Sequence, residues 1–254
     1  MQYFVREDSI VREIWGKSDT ILLIFAGASA EFALNKAVDW LYYTGKLPSD
    51  PLGRLFSTVS YARKIVFAPS NEAEMALNSI REIHATVEKS RGHNIPDWAY
   101  RDVLYMLIYY SIKSFEVLER KLTEGEKQEV FHVFYRVGKG MGLEELPNCY
   151  EDWCLSRQLH LNENLENSRF TGDLFKQYKS NLGWFRYYIL KESQELVVPK
   201  TVRELLSFKG YSLISPALPL YKAIKLIKID RIIKRLLYPS EYSLQIREMD
   251  IKVS

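Results

Sequence analysis

The sequence predicts an all-α protein, a single multi-helix domain with a central buried helix. Three observations lead there. Glycine and proline are sparse, 12 and 9 in 254 residues, and their positions punctuate long stretches of helical periodicity. The run from Val103 to Tyr110 is apolar on every side, as a helix enclosed by others would be. No internal repeat, low-complexity tract or flexible linker divides the chain.

The elements follow in order. Ile21 to Ala30 is the longest apolar stretch, about half of the ~20 residues a membrane-spanning helix needs, and Glu31 follows it directly. Asp50 caps a helix that begins at Pro51 and runs to about Ala68, where Pro69 stops it. Asn71, with Glu74 three residues later, opens the next helix, which ends near Gly92. The central helix lies between Asp97 and Lys121. Thr123 with Glu126 opens a helix that ends at Gly140-Met141-Gly142, and Asn148 with Glu151 opens another after Pro147. Two more span about Thr171 to Leu196 and Thr201 to Phe208. The expected organisation is a helical domain over 1–208 and a tail over 209–254.

The tail differs in character. Leu226, Ile229, Ile232, Ile233, Leu236 and Leu237 fall on one helical stripe, with Lys228, Arg231, Lys234 and Arg235 opposite. Such a basic amphipathic helix either docks on the core with a solvated back or gives peripheral membrane contact with anionic lipid.

Composition narrows the function classes. Hydrophobic residues make up 47% and charged residues 26%, which argues against a disordered or disulfide-scaffold chain. A net charge of +3 gives no call for nucleic acid as partner. Cys149 and Cys154 have no second pair to complete a zinc site and read as incidental thiols in a reducing compartment. Met1 to Asp8 is charged and mixed, unlike a secretory signal, so a cytoplasmic location is expected.

Of the four histidines, His84 is the informative one. Ile80, Ile83, His84 and Val87 stand at i, i+3, i+4 and i+7, a core-facing stripe that aims an imidazole inward. A buried imidazole stays neutral, which suits a nitrogen bound to a metal and equally a ring bonded to a core carbonyl. His132 and His160 lie on other helices and show no local set of histidine or carboxylate companions facing a shared site. Arg54, Ser57, Thr58 and Tyr61 share a face of the helix that starts at Pro51, above Ile65. A cation near a helix N-terminus gains nothing from the macrodipole, so Arg54 answers either to another partner or to solvent. Glu31 and Asp39, eight apart on one candidate helix, offer carboxylates or a solvated salt-bridging face. There is no nucleophile elbow, and Gly138 to Gly142 lacks the strand-turn-helix setting of a phosphate loop.

Taken in order, three groups of residues resemble a known family. They are Asp50-Pro51-Leu52-Gly53-Arg54-Leu55-Phe56-Ser57-Thr58, then Ile83-His84-Ala85-Thr86-Val87, then Val137-Gly138 through Met141-Gly142 with Leu146-Pro147. They resemble the catalytic domain shared by MpaB-type oxygenases and the latex-clearing rubber oxygenases, and the similarity runs from about Trp15 to Leu206. The resemblance implies an all-α fold, a b-type haem, and dioxygen-dependent cleavage of carbon-carbon double bonds in an apolar isoprenoid or lipid. By position it makes His84 the axial iron ligand. It places Arg54 and Thr58 at the oxygen-binding face, with Arg54 also able to meet a haem propionate. Ser57 stands where the rubber-oxygenase motif has lysine, and Gly27-Ala28-Ser29-Ala30 replaces an Ala-His-Pro-like segment. Asp39 lies in the region of that branch's carboxylate base. Phe56, Tyr105, Met106, Tyr109 and Phe131 are candidates to line the pocket or to serve as plain core. The expected function is thus a haem-dependent oxygenase, the alternative a haem-free helical protein that binds a lipid or partner.

Overall fold

The computed structural model describes residues 2–43 and 51–226. Among them every regular element is helical, and two isolated antiparallel bridges, Tyr3 with Pro69 and Asn35 with Leu165, are the extended pairings. The all-α expectation holds. The predicted amphipathic helix from Leu226 to Leu237 lies, beyond its first residue, outside the described residues. No helix among the described residues is long and apolar enough to cross a membrane.

The chain opens with α1 (Ile10–Trp15), capped by the Ser9 hydroxyl, which accepts the Val11 N–H at 3.1 Å. Next comes α2 (Ser18–Phe32), whose alanines and glycine let it sit deep in the body. It ends before Asn35, whose side-chain oxygen accepts the Ala37 N–H and starts a separate 3-10 turn, Lys36–Val38, that leads into α3 (Asp39–Tyr43). Glu31 and Asp39 therefore do not share a helix: local capping by Asn35 wins over the apolar periodicity.

Helices α4 (Pro51–Phe67) and α5 (Ser70–Arg91) form an antiparallel hairpin across Ala68-Pro69. The start of α5 falls at Ser70, not at an Asn71 cap. Here the extended residues at the N-terminus pair with the hairpin bend, the Ser70 N–H donating to the Gln2 carbonyl at 2.9 Å, so tertiary pairing replaces a side-chain cap. Gly92, at φ 75°, closes α5 as expected.

The central helix is α6 (Asp97–Leu118), which packs most extensively on α2. Tyr105, Tyr110 and Phe115 are among its fully buried side chains. Trp15 adds to the same core: its indole N–H donates to the Ser111 hydroxyl at 3.1 Å, and its ring meets Phe25 edge to face at 6.2 Å. Tight packing between α2 and α6 requires Gly27, where a Cβ would fall 2.3 Å from the Tyr110 ring.

Helix α7 (Glu124–Gly140) carries the predicted capping box, with Thr123 and Glu126 bonded reciprocally. It ends as expected at the glycines, Gly142 having φ 80°. Then α8 (Tyr150–Glu163) is capped by Cys149 rather than Asn148, because Cys149 is the residue in extended conformation and its sulfur accepts the Asp152 N–H at 3.4 Å. The long α9 (Arg169–Val197) is interrupted at Gly183, and α10 (Lys200–Leu205) and α11 (Leu218–Leu226) follow. The described residues after Phe208 fold back onto the body: Tyr221 donates to Asp19 at 3.1 Å and the Lys222 ammonium to the Glu119 carbonyl at 3.2 Å.

Candidate functional site

His84 stands in the C-terminal half of α5, where the helix is only partly covered. The buried face of α5 is Ala73, Ala76 and Leu77, in its first half. Further along, Ile80, His84 and Val87 are half-buried and Ile83 is 44% exposed. The predicted stripe is thus a half-open face rather than a core face. The imidazole leans on Tyr100 of α6, with ring centroids 5.1 Å apart, and its Nδ1 is shut off from solvent. Tyr100 is itself fixed by donating to the Glu88 carboxylate at 3.0 Å, and the same oxygen accepts the Ile95 N–H at 2.8 Å. Burial, then that hydrogen bond, raises the Tyr100 phenol above its ordinary range and keeps it protonated.

The α4–α5 hairpin brings the other predicted residues alongside. Arg54 stands 13 residues before the end of α4 and His84 14 residues after the start of α5. At about 1.5 Å per residue both lie roughly 20 Å from the reversal, so their backbones run level. The side chain of Arg54 lies outside the described ones. Thr58 is one turn nearer the reversal, and both it and Ser57 are exposed. Asp39 reaches α5 as well, bonded by Arg91 at 2.6 Å, with that guanidinium 3.9 Å above the Trp40 ring. Tyr105, Met106 and Phe131 are core residues rather than an open lining. Tyr109 is half-buried beneath the Arg157 guanidinium, 5.3 Å above its ring. The side chain of Phe56 is outside the described ones.

A haem asks the protein for one axial nitrogen, since the porphyrin supplies four others. The half-buried imidazole of His84 carries a nitrogen of that kind. Among the described residues no three or more His, Cys, Asp or Glu side chains converge to cage a metal without a porphyrin.

Two polar clusters escape sequence reasoning, because their partners come from distant helices. In the first, Glu31 of α2 is fully buried and takes both guanidinium nitrogens of Arg157 of α8, each at 2.5 Å, and the Tyr110 hydroxyl at 2.9 Å. This replaces the solvated face expected for Glu31. Burial pulls the Arg157 guanidinium down, but the charge and hydrogen bonds of Glu31 outweigh it and hold it above its ordinary value. Burial and then the Glu31 charge push the Tyr110 phenol far up.

In the second cluster, Asp102 of α6 binds the His160 Nδ1, the Asn35 amide at 2.7 Å and the Asn164 amide at 3.1 Å. His160 therefore has a carboxylate companion after all, 58 residues away. The only local sign was Asn164, four residues on. Both clusters tie distant helices together in the interior.

Residues 19–229 match the family described as ER-bound oxygenase mpaB/B'/Rubber oxygenase, catalytic domain. That match covers most of the chain, which therefore belongs to this family of oxygenase catalytic domains. No curated protein and no solved structure matches it.

Proposed function

We propose that this protein is a haem b-dependent oxygenase that acts with dioxygen on an apolar isoprenoid or lipid. His84 would hold the haem iron through its imidazole, and Arg54 and Thr58 would supply the polar groups beside the bound haem. The observation that carries the reading is the half-buried imidazole of His84, on an incompletely covered helix face, in a chain of an oxygenase family.

The haem, when bound, supplies the oxidative chemistry that side chains lack. His84 contributes a neutral ring nitrogen, and packing against Tyr100 restricts how that ring can turn. Thr58 offers a hydroxyl from the facing helix, and Arg54, level with His84, offers a permanent positive charge for a propionate or for developing negative charge. Ser57, in the lysine position of the rubber-oxygenase motif, contributes no ammonium, so the charge on this side rests on Arg54 alone among the three.

The test is absorption spectroscopy on the purified full chain. A Soret band is expected in the wild type and lost in His84→Ala with the helical circular dichroism retained. A colourless protein that develops no band on haem titration overturns the reading in favour of a haem-free lipid- or partner-binding protein. Consumption of dioxygen with an unsaturated isoprenoid, reduced in Arg54→Ala and Thr58→Ala, then tests the two polar roles.

A further inference from the structure

The middle of α9 breaks and turns aromatic rings outward. Gly183, at φ 73° and ψ 169°, interrupts the helix with a conformation that residues bearing a Cβ rarely adopt. Directly after it Trp184 is 76% exposed, and Phe185 and Tyr188 are each 41% exposed. Trp184 and Phe185 meet edge to face, their centroids 5.8 Å apart. Residues 184, 188 and 191 stand at i, i+4 and i+7, so one helix face carries Trp184, Tyr188 and the exposed Lys191 in succession. Large apolar side chains grouped on a surface mark a contact site rather than ordinary surface scatter.

Charge identifies the occupant. From 174 to 191 the sequence contains Lys176, Lys179, Arg186 and Lys191 and no Asp or Glu. The acids at either end are engaged. Asp173 accepts the Tyr42 hydroxyl at 2.8 Å, and Glu192 accepts the Leu213 N–H at 2.5 Å and the Ser212 hydroxyl at 3.2 Å. Glu195 accepts the Gly210 N–H. The segment thus joins indole and phenol rings to lysines. Trp and Tyr settle at the headgroup level of a bilayer, and lysines are drawn to anionic lipid, whereas lysine is depleted from protein–protein interfaces.

We propose that the aromatic and basic surface at the Gly183 break, centred on Trp184, Phe185 and Tyr188, seats the protein on an anionic lipid surface. This inference stands apart from the haem reading and fails separately from it.

Co-sedimentation of the full chain with vesicles of mixed phosphatidylcholine and phosphatidylserine, and of phosphatidylcholine alone, tests it. The wild type is expected to bind the anionic vesicles more strongly, less so as salt rises, with a blue shift of the emission that Trp184→Phe removes. The double variant Trp184→Ala, Phe185→Ala alters exposed side chains and should keep its circular dichroism while partitioning about tenfold less. Lys179→Glu should weaken binding to the anionic vesicles alone. Wild-type protein that binds neither vesicle, as a surface meant for an acidic protein would, overturns the proposal. So does a double variant that binds as well as the wild type, which would assign any lipid contact to the stretch from Leu226 onward.

Discussion

Glu31 and Arg157, 126 residues apart in sequence, form a two-pronged ion pair in the interior, both contacts at 2.5 Å, with the Tyr110 hydroxyl as a third bond to the carboxylate. It ties α2 to α8 across α6. Removing one partner leaves a buried charge with no compensation, which costs about 3–5 kcal/mol. Arg157→Ala is therefore expected to lose that much in urea unfolding. Because the penalty belongs to the stranded charge, Glu31→Gln with Arg157→Met should lose clearly less. Equal losses in the two variants would show that the stranded carboxylate is not the source of the cost.

Gly27→Ala should be among the most damaging single-methyl changes in the protein. The added carbon would fall 2.3 Å from one Tyr110 ring atom and 2.8 Å from Val197. The Tyr110 ring cannot swing aside without breaking its bond to Glu31, so a loss of about 1–3 kcal/mol is expected. Thermal unfolding checks it, and Gly125→Ala, where nothing lies near the new carbon, serves as the comparison.

The start of α7 gives a pH dependence. Glu126 is held at about 2, chiefly by its hydrogen bonds from Arg120 and further by Thr123. A carboxylate depressed in the folded state stabilises it above its unfolded value of about 4.5, and the gain fades as pH falls through about 2. The pair is accessible to solvent, which limits its worth to about 1 kcal/mol including the cap. Glu126→Gln should thus be less stable than the wild type at neutral pH by about that amount, with the difference narrowing steadily in acid. A gap that widens in acid would contradict this assignment.

His84→Ala is expected to leave stability within about 1 kcal/mol of the wild type, because the ring is half-buried on a partly covered helix face. The same change should abolish the haem spectrum. Joint loss of fold and spectrum would mean the imidazole is a core element, and comparison with His84→Gln by circular dichroism separates the two.

What could be read from the chain alone followed the range of the forces involved. The Thr123–Glu126 box and the Gly92 stop depend on residues within one turn, and both are where the sequence places them. Asn71 looked equally good as a cap, but the extended residues near Tyr3 pair with the bend at Pro69 and the helix starts earlier. The stripe around His84 was visible as a period, while its half-open state was not, because cover depends on which helices pass over it. The pairings of Glu31 with Arg157 and of Asp102 with His160 leave no trace in spacing, since each joins residues more than 50 positions apart.

The Asp102 cluster also bears on how the chain acquires its shape during synthesis. Its carboxylate waits for Asn164, 62 residues downstream, and ribosomes add about 5–20 residues per second, so the delay is roughly 3–12 s. Of the partners of that carboxylate, only Asn35 precedes it in the chain, while His160 and Asn164 come later. Truncated translation products ending before residue 160 should therefore stay protease-sensitive, and resistance should arrive abruptly once α8 has cleared the exit tunnel.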